Sequence, residues 1–204
     1  RQILLAASTH DGEDASMIAA ANALGDGWLT IIAPRHPDRG TDIVQGLKQS
    51  GKNVAQRSLG DVVTEHTEFY VADTLGELGL IYRLATVVFV GGSLVPHGGQ
   101  NLREPARLRS AILHGPHIAN FARVASELGE VGAARQVDDD EALTRAVSAL
   151  LSEPDAAEAM ATRAGNIVDK SQNVLDQTVE ALEPYLSQLR RTASPDSDVS
   201  HEST

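Results

Sequence analysis

The 204-residue chain contains no cysteine. That excludes a disulfide framework, thiolate nucleophiles and cysteine-ligated metal centres, and it is compatible with a reducing compartment. Aromatic residues make up only 3% of the chain. Alanine, leucine and valine must then build the core, as is usual where helices cover a buried parallel sheet. Positive charge is also scarce: 17 Lys and Arg stand against 28 Asp and Glu, for a net charge of −11. Such a surface does not hold a nucleic-acid backbone wholesale, so an anionic ligand has to be met locally, by a few arginines and helix N-termini. No run of about 18 apolar residues is available to span a membrane, and no signal-peptide pattern opens the chain. Arg1-Gln2 leads directly into the apolar run Ile3-Leu4-Leu5-Ala6-Ala7, which reads as a domain taken from a longer protein.

What is present is alternation. Apolar, β-branched segments at 2–7, 29–33, 53–57, 68–71, 86–90, 111–114 and 132–136 read as strands. Helical patterns lie between them at 13–24, 41–49, 75–84, 102–109 and 121–128. Thr74 with Glu77 has capping-box spacing, and Asp138-Asp139-Asp140 precedes a helix at 141–151. Ser152-Glu153-Pro154 then breaks the chain before helices at 155–170 and 174–189. The expected fold is α/β: a Rossmann-like parallel sheet with helices on both faces and a helical C-terminal segment. Residues 1–189 are expected to form one domain and the polar stretch 190–204 a disordered tail.

In such sheets ligands bind beyond the carboxyl ends of the strands, and four loops there carry possible chemistry. The run Gly91-Gly92-Ser93-Leu94-Val95-Pro96-His97-Gly98-Gly99-Gln100-Asn101 follows a strand and precedes Leu102-Arg103-Glu104-Pro105-Ala106. Its glycines offer backbone N–H groups and close approach to a ligand, and Glu104 can accept hydrogen bonds from sugar hydroxyls. In Ala7-Ser8-Thr9-His10-Asp11-Gly12-Glu13, hydroxyls and N–H groups can hold a phosphate or carboxylate; the alternative is a helix cap and a turn glycine. In Pro34-Arg35-His36-Pro37-Asp38-Arg39 two prolines stiffen the loop, and Arg35 can grip an oxyanion; the alternative is arginines paired with nearby acids. Ala72-Asp73-Thr74 can present backbone groups to a base, or simply cap a helix.

His10, His36 and His97 lie on neighbouring strand-end loops and are the histidines best placed to contact a ligand. His114 and His117 flank Gly115-Pro116, but neither a cysteine nor an HExxH pattern supports a zinc site, and no metal is expected. The Asp138–Asp140 run reads as solvated helix-start acids.

Taken in order, these loops, together with Glu104-Pro105-Ala106 and Gly115-Pro116-His117-Ile118-Ala119-Asn120-Phe121, closely resemble the C-terminal half of 3-deoxy-D-manno-octulosonic acid (Kdo) transferase. The resemblance runs from about residue 3 to residue 186. It implies the donor domain of a two-domain GT-B glycosyltransferase that moves Kdo from CMP-Kdo to a lipid A precursor in lipopolysaccharide synthesis. By resemblance, Pro34, Arg35, Ala72, Asp73, Thr74, Asn101, Leu102, Arg103 and Glu104 line the CMP site, Glu104 taking the ribose hydroxyls. Arg35 and the N-terminus of the helix after Asn101 offset the phosphate charge. Ser8, Thr9, His10, Gly92 and Ser93 are further candidate contacts to the phosphate or the Kdo unit.

The family's catalytic base, acceptor site and membrane-associating region are implied to lie in an N-terminal half outside these residues. The full-length protein is therefore expected at the cytoplasmic face of the inner membrane, with no cofactor, and this chain alone is expected to be inactive. The family pattern Asn-Pro-Leu-Glu-Pro reads here Asn101-Leu102-Arg103-Glu104-Pro105. Arg103 therefore either sits at the surface or alters the packing of its helix. Two other readings stay open: another GT-B enzyme, such as a UDP-sugar transferase or 2-epimerase, and a non-catalytic nucleotide-binding module.

Overall fold

The structure, a computed structural model, describes residues 1–25 and 27–192. In chain order the elements are β1 (Gln2–Thr9), α1 (Glu13–Ala23), β2 (Trp28–Pro34), α2 (Gly40–Gln49), β3 (Val54–Gln56), β4 (Phe69–Val71), α3 (Leu78–Leu84), β5 (Val87–Val90), α4 (Arg103–Arg107), β6 (Ala111–His114), α5 (Ala122–Glu130), β7 (Ala134–Gln136), α6 (Asp140–Ser152) and α7 (Pro154–Thr192). The seven strands form one sheet in the order β3-β4-β2-β1-β5-β6-β7. Every pairing is parallel.

Period-two alternation along the strands builds two cores. Leu4, Ala6, Phe89 and Leu113 face one side of the sheet, where Met17, Val44, Leu47, Leu143 and Val147 of α1, α2 and α6 cover them. Leu5, Ala7, Val88, Val90 and Ile112 face the other side, under Ile81, Leu102, Ala106, Leu128 and Ala164. Both faces are apolar, so the strands read as continuous hydrophobic runs.

The chain builds outward from β1 through β2 to β3, returns to β4, and then crosses to β5, β6 and β7. The direction of growth therefore reverses around β1, which makes the carboxyl ends of β1, β2 and β5 the topological switch point, where ligands of such sheets bind. β1 enters it with an irregularity: the register slips between Ala7 and Thr9, and Ser8 adopts a left-handed φ of 56°. A bulge of this kind re-aims the residues that follow, here Thr9 and His10.

Two expectations are corrected. The helix expected from 75 begins at Leu78, so Thr74 caps nothing; its hydroxyl donates to Glu77 at 2.5 Å. The break expected between 170 and 174 is absent, and α7 is continuous. Ser171, Gln172 and Asn173 lower helix propensity by only a few tenths of a kcal/mol each, and no glycine or proline lies between Gly165 and Pro184 to interrupt it. The chain divides into two compact units, Arg1–Val168 and Asp169–Thr204. The first holds the whole sheet, and the described residues of the second are helical. Of the expected tail, 190–192 belong to α7 and 193–204 lie outside the described residues.

Candidate functional site

Four loops meet at the switch point, and hydrogen bonds among them decide which groups remain for a ligand. The β1 and β2 loops are tied first. Thr9 O accepts from Arg35 N and from Arg39 Nη1, each at 2.9 Å. Thr9 Oγ1 donates to Asp14 Oδ1 at 2.5 Å, and Asp14 also pairs with the Arg39 guanidinium. Thr9 is fully buried, so its hydroxyl belongs to this knot and its side chain is closed to a ligand.

The glycine-rich loop departs most from expectation. Three of its N–H groups point inward, onto Glu13 at the start of α1. Glu13 Oε1 accepts from Ser93 N and Leu94 N, each at 2.9 Å, and Oε2 from Gly92 N at 2.6 Å and His10 N at 2.9 Å. Glu13 is 0% exposed. The N–H groups of Gly92 and Ser93, residues named as candidate contacts to the phosphate or the Kdo unit, are thus already filled by a protein carboxylate.

The Ser93 hydroxyl is spent as well. It donates to Val90 O at 2.5 Å and accepts from Gly115 N at 2.8 Å. Three glycines of the β5 and β6 loops are also held small by the protein itself. A Cβ on Gly91 would stand 2.6 Å from Ser8 O, one on Gly115 2.1 Å from Ser93 O, and one on Gly98 2.5 Å from the Asn120 side chain.

The β4 loop is internally satisfied in part. Asp73 Oδ2 accepts from Gln56 Nε2 at 2.6 Å and Ser58 Oγ at 2.7 Å, while Oδ1 accepts from Ser58 N at 2.8 Å. Burial pushes the Asp73 carboxyl up, but these hydrogen bonds outweigh it and hold the group below its ordinary value. Glu77 takes a bidentate contact from Arg57, at 2.8 and 2.7 Å, and with the Thr74 bond this holds it down at about 2. Of the three residues expected here, Ala72 and Asp73 are buried and Thr74 is exposed.

Other groups stay open. Pro34 is buried at the end of β2, but Arg35 and His36 are exposed beside it. His10 stacks on His97, ring centroids 4.1 Å apart, and meets His36 edge-on at 5.9 Å. The three strand-end histidines therefore do cluster, with Gln100 Nε2 3.2 Å from His10 Nε2. Burial, then the neighbouring His97, pull His10 below its ordinary value. No group of His, Asp and Glu among the described residues is arranged to hold a metal ion. His114 turns inward: it is buried and bonded through Nδ1 to Gly115 O at 2.8 Å.

At the α4 end, Asn101 is exposed and its Oδ1 accepts from Arg103 N at 2.9 Å, fixing the first turn. Leu102 is fully buried, so only its backbone can line a site. Glu104 is half-exposed and faces the start of α3: a Cβ on Gly79 would stand 3.9 Å from its Oε1. Arg103 lies at the surface, 3.6 Å from Glu127 of α5, which also takes Arg123. Of the two readings of the departure from the family pattern, the surface one holds: the arginine makes a rim ion pair, while Pro105 and Ala106 are the buried residues of α4.

Glu13 and the Asp14–Arg39 pair were not singled out from the sequence. Two acids opening an alanine-rich helix read as ordinary first-turn charges. The only local signal was their place directly after a strand-end loop.

A parallel sheet reversed at its first strand, with open polar groups at the carboxyl ends, is the Rossmann-like fold of a GT-B C-terminal domain. Solved structures agree at the level of fold: sucrose-phosphate synthase from Thermosynechococcus elongatus superposes with a TM-score of 0.57 over 94% of this chain and 45% of its own, at 17% identity. The C-terminal CMP-Kdo binding domain of WaaA from Acinetobacter baumannii superposes with a TM-score of 0.78, at 33% identity, over 82% of this chain and 89% of that domain. The 3-deoxy-D-manno-octulosonic acid transferases of Haemophilus influenzae and Bordetella pertussis are each 34% identical over 91% of this chain. The chain belongs to the 3-deoxy-D-manno-octulosonic acid transferase family. It spans under half the length of those two relatives, 44% and 45%. No protein-family profile matches it.

Proposed function

We propose that this chain is the donor-binding half of a Kdo transferase, holding CMP-Kdo in the crevice between the β1, β2, β4 and β5 loops. The observation that carries this reading is the match to a solved CMP-Kdo binding domain along nearly all of that domain's length. The open groups fit such a ligand. The Glu104 carboxylate is free to accept from two ribose hydroxyls, while the half-buried flank of α3 and the backbone of 72–74 face the base. Arg35, exposed at the end of β2, meets the phosphate with a bidentate donor pair. Asn101, Thr74 and His10 complete the rim.

The reaction of the whole enzyme is inverting transfer. A base on the N-terminal half takes the proton of an acceptor hydroxyl as its oxygen attacks the anomeric carbon, and CMP leaves with the bonding electron pair. This half binds the donor and offsets the charge that grows on the departing phosphate. It supplies no base, so the chain alone binds CMP and transfers nothing. The acceptor is a lipid A precursor, and the complete protein works at the cytoplasmic face of the inner membrane through its other half. Among the described residues, no helix is long and apolar enough to cross a membrane.

Calorimetric titration with CMP, UMP and AMP tests the reading, on the native chain and on Glu104→Ala. A charge-assisted hydrogen bond contributes about 1.5–3 kcal/mol, so CMP affinity should fall by about tenfold or more in the variant. CMP preference over UMP and AMP is expected; tighter UMP binding overturns the assignment in favour of another GT-B enzyme.

A further inference from the structure

The glycine-rich loop has an anion in it already, and that anion is part of the protein. Glu13 presents two oxygens to four backbone N–H groups, those of His10, Gly92, Ser93 and Leu94, at 2.6–2.9 Å. A carboxylate is 0% exposed here, a placement that is costly unless donors surround it. Gly92 turns with a φ of 65°, which lets three successive N–H groups converge on one point. Such a concavity ordinarily takes a phosphate. Here it is closed from below by α1.

The consequence reaches the far arm of the loop. Gly99 N donates to Gly92 O at 2.7 Å, and Asn120 N donates to Gly98 O at 3.0 Å. Asn101 and α4 follow directly. The chain of contacts therefore runs from Glu13 through Gly92 and Gly99 to Asn101 and Glu104.

We propose that Glu13 is a positioning residue: it is the resident anion of the Gly92–Leu94 turn and sets the loop that delivers Asn101 and Glu104 to the donor. A ligand's phosphate is excluded from this concavity and has to be met from outside it, on the Arg35 side. The last link, to donor affinity, rests on the reading given under Proposed function; the first, to loop order, does not.

Amide hydrogen exchange by NMR and calorimetric CMP titration test it together, on the native chain, Glu13→Ala and Glu13→Gln, with and without formate at tens of millimolar. In the native chain the amides of Gly92, Ser93 and Leu94 should be among the slowest to exchange; fast exchange there overturns the proposal. In Glu13→Ala they should exchange about tenfold faster or more, with a comparable loss of CMP affinity. Formate, a carboxylate small enough to enter the vacated space, should restore both, and chloride at equal ionic strength neither. Glu13→Gln keeps the volume but turns an NH2 donor against N–H donors, so it should lose protection and gain nothing from formate.

Native-like protection in either variant overturns the anion role. Formate that restores protection without restoring CMP affinity overturns the positioning role. If Glu13→Ala does not fold, the isosteric Glu13→Gln still decides through its exchange rates. If the native chain itself fails to bind CMP, the donor reading falls, while exchange and formate still decide the part played by Glu13.

Discussion

Arg35 and Arg39 stand four residues apart on one loop and do different work. The sequence offered two readings of that loop, an oxyanion grip or arginines paired with acids; Arg39 takes the second, and Arg35 is left open to the first. Arg39 is bonded to Thr9 O and Asp14, whereas the exposed Arg35 guanidinium has no ion pair among the described residues. Arg35→Ala should therefore weaken CMP binding by about tenfold while the melting temperature moves by no more than about 2 °C, since exposed substitutions stay within about 0.5 kcal/mol. Arg39→Ala should do the reverse in the same two measurements, losing about 1–3 kcal/mol of stability by stranding the part-buried Asp14. Equal melting temperatures for the two variants would sink this division. Arg103→Leu, which restores the family's apolar residue, removes only a rim pair with Glu127 at 3.6 Å and should leave stability within about 1 kcal/mol in a denaturant titration. At this scale residue type was legible but partner was not. Glu13, Asp14 and Asp73 are buried by partners 15 to 81 residues away, which no local pattern reveals.

Elements were far more legible than contacts, because burial on both faces of a parallel sheet writes itself as apolar runs. All seven strands fall within two residues of the expected segments. The helix starts were less readable: Thr74 has the spacing of a cap but serves Glu77, which Arg57 of the β3 end also holds. The strand ends thus carry the groups whose titration governs stability. Burial, against the pull of the Gly115 hydrogen bond, holds His114 below its ordinary value of 6.5. The unfolded chain then binds that proton first, so stability falls as pH drops below about 6.5. Asp73 and Glu77 are also held below their ordinary values, 3.8 and 4.5, so their contribution is complete above that range and is lost as pH falls through it. Urea midpoints followed from pH 8 downward should show two limbs, and His114→Gln should shrink the upper one alone, leaving the part that His10, also held below its ordinary value, contributes. A single limb unaffected by that substitution would contradict the assignment. The junction of the β5 and β6 loops is sterically the least forgiving. A Cβ on Gly115 would meet backbone, 2.1 Å from Ser93 O and 2.3 Å from Ser93 C, so Gly115→Ala should cost about 3 kcal/mol in thermal or urea unfolding.

Over the whole molecule, the order of the strands explains why the site lies where it does. Growth away from β1 in both directions sets a switch point at the carboxyl ends of the strands, and all four motif-bearing loops follow strands at that end. Strand and helix alternation made that architecture readable, and the resemblance in motif order supplied the ligand class. In the glycine loop, glycine signals close approach without saying to what. The close neighbours of Gly91 and Gly98 are Ser8 and Asn120 of the same protein. A net charge of −11 works against an anionic donor everywhere except at such local cationic points, and screening confines those to about 8–10 Å at ordinary ionic strength. On the reading proposed above, the donor is gripped at one end of the sheet and the attacking hydroxyl and its base come from the rest of the enzyme; this chain spans 44% of its Haemophilus relative. Incubated with CMP-Kdo and a lipid A precursor, the chain should bind the nucleotide and release no CMP through transfer. Adding the N-terminal half of a relative as a separate polypeptide should start transfer, and Glu104→Ala should slow it by raising the concentration of CMP-Kdo needed. Transfer by the unaided chain would mean that a base lies among its own residues, and the exposed His36 and His97 beside Arg35 would be the first to replace.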